Sequence, residues 1–238
     1  MLKIQNFTKS YGNKVAVDNL DLEICPGEIF GFIGHNGAGK TTTIKAACGI
    51  LSFDEGSIIV DSVDVKKNPF ECKKLIAYIP DNPDLYEFLS GIKYLNFIAD
   101  AFGMGGDERS EQIKKYADIF ELTGDLAQPI GSYSHGMKQK LALISALIHK
   151  PRLMVMDEPF VGLDPKASHA LKGIMRGICD EGGAIFFSTH ILEVAEKLCD
   201  KIAIIKNGKL IANGTVAEVR GNNSLESIFL ELTGDGDA

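Results

Sequence analysis

The chain has 238 residues, 45% of them hydrophobic and 24% charged, which excludes a disordered chain and predicts one large domain or one domain with an insertion. A net charge of −7 excludes a protein held on nucleic acid or anionic lipid by its global charge. Five cysteines with no C-x-x-C pair and no metal-ligand spacing read as reduced, packed thiols of a cytosolic protein.

The amino end, Met1 to Asn6, lacks the apolar region of a signal peptide, and no apolar run is long enough to span a bilayer. From Leu2 to Ile24, apolar and polar residues alternate around a turn at Gly12-Asn13, which predicts an antiparallel sheet with one wet face. Ile29 to Ile33 reads as a buried strand. Residues 34 to 41, Gly-His-Asn-Gly-Ala-Gly-Lys-Thr, then fit G-x-x-x-x-G-K-[ST] ahead of a helix spanning Thr42 to Cys48 and ending near Gly49. In such a loop Gly34, Gly37 and Gly39 are expected to take backbone angles closed to other residues, turning N–H groups toward one anion. Lys40 adds a charge for the terminal phosphates, Thr41 a hydroxyl for Mg²⁺, and the helix its positive end. His35, Asn36, Ala38 and Thr42 complete the expected ATP-binding set.

Ser57 to Val65 reads as a further strand, and Leu75 to Ile79 as a buried strand closed by Pro80 and a turn at Asp81 to Pro83. Between residues 85 and 127 the apolar residues fall at helical spacing, first Leu85, Phe88, Leu89 and Ile92, later Ile113, Tyr116 and Phe120, which predicts a helical insertion. Three short apolar runs follow, Leu153 to Met156, Ala184 to Phe187 and Ile202 to Ile205, as central strands separated by helices at 166 to 180 and 191 to 198. No internal repeat is visible, and Gly234 to Ala238 is expected to fray.

Asp157 and Glu158 follow the first of these runs, at the carboxyl end of a strand, where parallel sheets bind ligands. Asp157 is placed to hold Mg²⁺, directly or through water, which leaves Glu158 to orient or deprotonate an attacking water. His190 ends the next strand on the same edge and is the candidate donor to a γ-phosphate; alone it would read as a loop histidine. Tyr133-Ser134-His135-Gly136-Met137 opens a helix with Ser134 at its amino cap, a second helix end suited to an anion.

This last segment resembles the LSGGQ signature of ATP-binding cassette proteins. The phosphate loop, signature, strand-end Asp157-Glu158, the Gly162-Leu163-Asp164 loop and His190 stand in the family's order across nearly the whole chain. The resemblance implies an α/β fold: a P-loop NTPase core with a mostly parallel sheet, an N-terminal antiparallel β subdomain and an inserted α-helical subdomain. Residues 1–238 would form one domain, with 1–80 and 128–220 as core and β subdomain, 81–127 as helical insertion and 221–238 as a short tail. It further implies that two cassettes pair head to tail, so that Ser134 and Gly136 contact the γ-phosphate bound by the other subunit. Tyr11 would stack on adenine, and Asp164 would couple the two sites.

The implied activity is hydrolysis of ATP with Mg²⁺ to power a membrane transporter, with an integral membrane permease and a second ATPase subunit as partners and no nucleic acid. The chain would sit in the cytoplasm against the inner face of the cell membrane. Its tail, Ser224 to Leu232, is similar to subunits of two-component exporters of the ABC-2 type. The alternatives are a soluble cassette ATPase with an assembly or regulatory role, or a weakly hydrolysing nucleotide-dependent scaffold. Two departures stand out. His135 and Met137 replace the usual glycine and glutamine of the signature, and Asp81 stands where the family usually has a glutamine that senses Mg²⁺. Aspartate is shorter and charged, so it is expected to bear on turnover more than on ATP affinity, through the metal or through repulsion of the γ-phosphate.

Overall fold

The computed structural model describes residues 1–234; beyond Gly234, the expected fraying lies outside the described residues. The first two strands, β1 (Leu2–Tyr11) and β2 (Lys14–Ile24), form the expected hairpin, pairing Leu2 with Ile24 and Tyr11 with Lys14. Then come β3 (Ile29–Ile33), α1 (Lys40–Ala47), β4 (Glu55–Val60) and β5 (Val63–Asp64). The single strand read over Ser57 to Val65 is thus two. Asp61 and Ser62 both take positive φ, 45° and 71°, and fold the chain back so that β4 pairs with β5. Neither residue is glycine, so the turn gave no sequence signal.

A short helix, α2 (Pro69–Leu75), precedes β6 (Ile76–Ile79). Sequence analysis did not anticipate it: Cys72 is its only buried residue, so no apolar stripe marks it. Helices α3 (Gly91–Ala101) and α4 (Gly106–Ile119) follow. The helical reading of Leu85 to Ser90 is corrected here. That stretch runs along the chain ahead of the signature, with Leu89 O accepting from Ile130 N (2.8 Å) and Glu87 O from Gly131 N (2.9 Å), while Phe88 is 83% exposed.

The remaining elements are α5 (His135–Leu147), β7 (Leu153–Asp157), α6 (Pro165–Asp180), β8 (Ala184–Thr189), α7 (Leu192–Leu198), β9 (Lys201–Lys206), β10 (Lys209–Thr215), α8 (Val216–Arg220) and α9 (Leu225–Thr233). One sheet is antiparallel in the order β2-β1-β4-β5. The other runs β10-β9-β3-β8-β7-β6, parallel throughout except for β10 at its edge.

Successive residues of the central strands feed two cores. Met154, Met156, Ile185 and Phe187 face α3 to α6, whereas Leu153, Val155, Phe186 and Phe30 face α1 and the antiparallel sheet. A strand buried on both faces has no polar side to alternate with, which is why these runs are continuously apolar. Among the described residues no helix is long and apolar enough to cross a membrane.

Between α5 and β7, the imidazole of His149 stacks on Phe102, at the end of α3, with ring centroids 3.7 Å apart and an interplanar angle of 3°. Burial pushes its pKa down to about 4. The folded form therefore resists a proton that the unfolded chain takes up near the ordinary value of 6.5. The unfolded state binds more protons between those values, so this group lowers stability progressively as pH falls from 6.5 toward 4, by at most about 3 kcal/mol. Replacing His149 with phenylalanine keeps a ring on Phe102 and is expected to flatten the pH dependence of the denaturation midpoint in that window; an unchanged slope would contradict the assignment.

Candidate functional site

The phosphate loop leaves β3 and enters α1 between the two sheets. Gly37 and Gly39 have φ of 80° and 115°, the angles expected of them. Gly34 is glycine for a different reason: its φ is not positive, but a Cβ there would lie 2.5 Å from the carbonyl oxygen of Ile205 on β9. Its role is a close approach of two strands. Ala38 likewise shapes the loop from within, its N–H donating to His35 O at 3.1 Å.

Lys40 is 6% exposed. Its Nζ donates to Gly34 O (2.6 Å) and His35 O (3.3 Å) and lies 3.8 Å from Glu158 Oε1. Burial pulls its pKa down, against the opposing pull of Glu158 and Asp157. An ammonium held mainly by neutral carbonyls keeps unused capacity for an anion.

Thr41 Oγ1 donates to Asp157 Oδ2 at 2.6 Å, which brings together two residues 116 positions apart in the chain. The other oxygen of Asp157 accepts from the hydroxyl of Ser188, a fully buried residue on β8. Ser188 also receives the Glu158 N–H, at 3.1 Å to its hydroxyl. It is a site residue that sequence analysis missed; a serine inside a strand carries no motif.

Glu158 has φ of 50°, a left-handed angle uncommon for a side chain of this size. The turn swings its carboxylate back over the strand ends, where Oε2 meets His190 Nδ1 at 2.9 Å and the His190 N–H at 3.3 Å. Its Oε1 is buried with no hydrogen-bond partner among the described residues.

A cavity of about 650 Å³ opens between these groups, walled by Tyr11, Lys40, Thr41, Tyr78, Asp157 and Glu158. His35, Asn36, Gly37, Gly39 and Thr42 also face it, and Asp81 stands exposed on its wall. Tyr11 is 51% exposed, with Lys9 Nζ 5.3 Å from the centre of its ring. The Tyr78 hydroxyl, also missed from sequence, is buried and without a hydrogen-bond partner among the described residues, and burial pushes its pKa up. Thr41 and Asp157 offer hard oxygen donors. Among the described residues no group of three or more His, Cys, Asp or Glu side chains could hold a metal ion. An ion here would complete its shell from phosphate and water, a donor set that fits Mg²⁺.

Ser134 and Gly136 do not line this cavity. Ser134 is exposed at the start of α5, its hydroxyl accepting from Met137 N at 3.3 Å as expected of an amino cap. The His135 ring lies against Gly162. Asp164 caps α6, accepting from Ala167 N at 2.8 Å, and pairs with Lys140 of α5 at 2.6 Å, a contact that holds its carboxyl below the usual range.

The family model for ABC transporters matches residues 17–161. The chain is 34% identical to the ABC-type transporter ATP-binding protein EcsA of Bacillus subtilis (strain 168), over 98% of this chain and 96% of that one. It is 33% identical to Nod factor export ATP-binding protein I of Cupriavidus metallidurans, over 92% and 72%. A solved ATP-binding subunit of an ABC transporter superimposes with a TM-score of 0.94 at 34% identity, covering 98% of this chain and 99% of that one. The fold agrees with the comparisons: the chain belongs to the ABC transporter family, as an ATP-binding and ATP-hydrolysing subunit that powers a membrane transporter.

Proposed function

We propose that this cassette closes head to tail on a second ATPase subunit, identical or related, with ATP and Mg²⁺ buried between them. Lys40 and the loop amides from His35 to Thr42 hold the phosphates, with Tyr11 on the adenine. Thr41 and Asp157 ligate Mg²⁺, with Asp81 within reach of its shell. Glu158 orients or deprotonates the attacking water, and His190 assists at the γ-phosphate. Ser134 and Gly136 face the nucleotide of the partner subunit, and Asp164 lies at the join. The carrying observation is the exposed α5 amino end, capped by Ser134 yet turned away from the cavity of its own chain. A helix start with free N–H groups suits an anion supplied from outside.

The permease is proposed to dock where Tyr86, Phe88 and Phe97 gather. Tyr86 lies 6.0 Å from Phe88 and 5.8 Å from Phe97 by ring centroid, and all three are half exposed or more. Exposed aromatic clusters of this kind mark protein contacts. This segment directly follows Asp81, so docking and nucleotide sensing adjoin. The working place is then the cytoplasmic face of the cell membrane, and export is the direction favoured by likeness to the Nod factor protein. The test is recovery of the full chain from detergent-solubilised membranes: a polytopic membrane protein should accompany it, and Phe88→Glu should abolish the association. Recovery of the chain alone would overturn the docking proposal.

A further inference from the structure

Helix α9 lies against the phosphate loop. Its inner residues, Leu225 and Phe229, join Ile33, Ala195, Ile202 and Ile204 in a small core, so α9, packed beside α7 and α8, shares a core with β3, the strand that the loop leaves, and with β9. The helix is fixed at both ends. Ser224 caps its start, accepting from Ser227 N at 3.1 Å, and Thr233 O accepts from Nζ of Lys206, the last residue of β9. From this base Phe229, 8% exposed, sets its ring 4.8 Å from that of His35, inclined by 51°. His35 is the loop residue whose carbonyl receives both Lys40 Nζ and the Ala38 N–H.

A loop with glycines at two of its positions in left-handed conformations gains freedom whenever its few side-chain anchors are lost. Lys40 anchors it from inside. We infer that Phe229 anchors it from outside, as a positioning residue: its ring holds His35, and through the His35 backbone the resting place of Lys40, so that nucleotide affinity depends on a docked α9. The inference rests on the reading that ATP binds at this loop. An aromatic pair contributes enough to change binding about threefold to tenfold. A looser loop costs ground state and transition state alike, so the change falls on KM and not on kcat.

The experiment measures binding of a fluorescent ATP analogue with Mg²⁺ and steady-state ATPase on the full chain. Phe229→Leu, which keeps apolar volume in the small core, is expected to raise Kd and KM threefold to tenfold with kcat within twofold. Phe229→Tyr should stay within twofold of wild type in all three. The double variant Phe229→Leu with His35→Ala should bind no more weakly than His35→Ala alone, because the Phe229 ring acts on the loop through His35. Wild-type affinity in Phe229→Leu, or effects that multiply in the double variant, overturns the inference. Should Phe229→Leu fail to fold, His35→Leu carries the same expectation with α9 intact, and unchanged affinity there overturns it equally. Lys40→Ala separates the two levels of argument. If it binds nucleotide as wild type does, the location of ATP is wrong and the anchor falls with it; if it weakens binding while Phe229→Leu does not, only the anchor falls.

Discussion

Glu158→Gln is expected to lower ATP turnover by at least about a hundredfold while ATP affinity stays within a few-fold of wild type. A positioned general base contributes of that order or more, and glutamine removes the base while keeping the size and an acceptor oxygen for the His190 N–H. The structure explains why no neighbour substitutes. The left-handed backbone at Glu158 brings its carboxylate over the strand ends, against His190 on one side and within 3.8 Å of Lys40 on the other. Asp157 is committed through both oxygens, to Thr41 and Ser188. Phosphate release and equilibrium nucleotide binding, measured side by side, check the split. Turnover within tenfold of wild type would remove Glu158 from the role of base.

Lys40→Ala is expected to weaken nucleotide binding about 10- to 100-fold, the range of one or two charge-assisted hydrogen bonds. Stability without nucleotide should change little, because the loss of a loop anchor is offset by the release of a partly desolvated ammonium. The side chain is an ammonium pulled below its ordinary pKa by burial, so its removal relieves a desolvation cost but leaves two carbonyls and the Glu158 carboxylate without their cation. Nucleotide titration and thermal unfolding of the apo-protein check the two halves. A melting temperature well below wild type would show that the anchoring of the loop outweighs the desolvation cost of the ammonium.

The parts of this molecule legible in its sequence were those where physics leaves little choice of residue. Leu153 to Met156 could only be a strand buried on both faces, and Gly37 and Gly39 take the positive φ that the loop pattern led one to expect. Other parts were hidden because their cause lies elsewhere in the fold. Gly34 makes room for Ile205 O, a neighbour supplied by β9. The period of Leu85, Phe88, Leu89 and Ile92 imitates a helix, but a turn closed by Leu89 N on Tyr86 O and backbone bonds to Ile130 and Gly131 keep the first part out of one. Ser188 and Phe229 reach Asp157 and His35 through contacts across a long stretch of chain, and neither residue type signals such a contact alone.

Asp164 is one carboxylate shared by two helices. It sits a short loop beyond Glu158, closes the first turn of α6, and grips α5 by Lys140, not far along from Ser134. The start of α5 is therefore tied to the strand end that carries Glu158: to swing without α6 it must break the Lys140–Asp164 ion pair, while the cap stays with α6. In the proposed dimer, a shift at the nucleotide beside Glu158 would move the α5 surface offered to the partner through this ion pair and the two helices it joins.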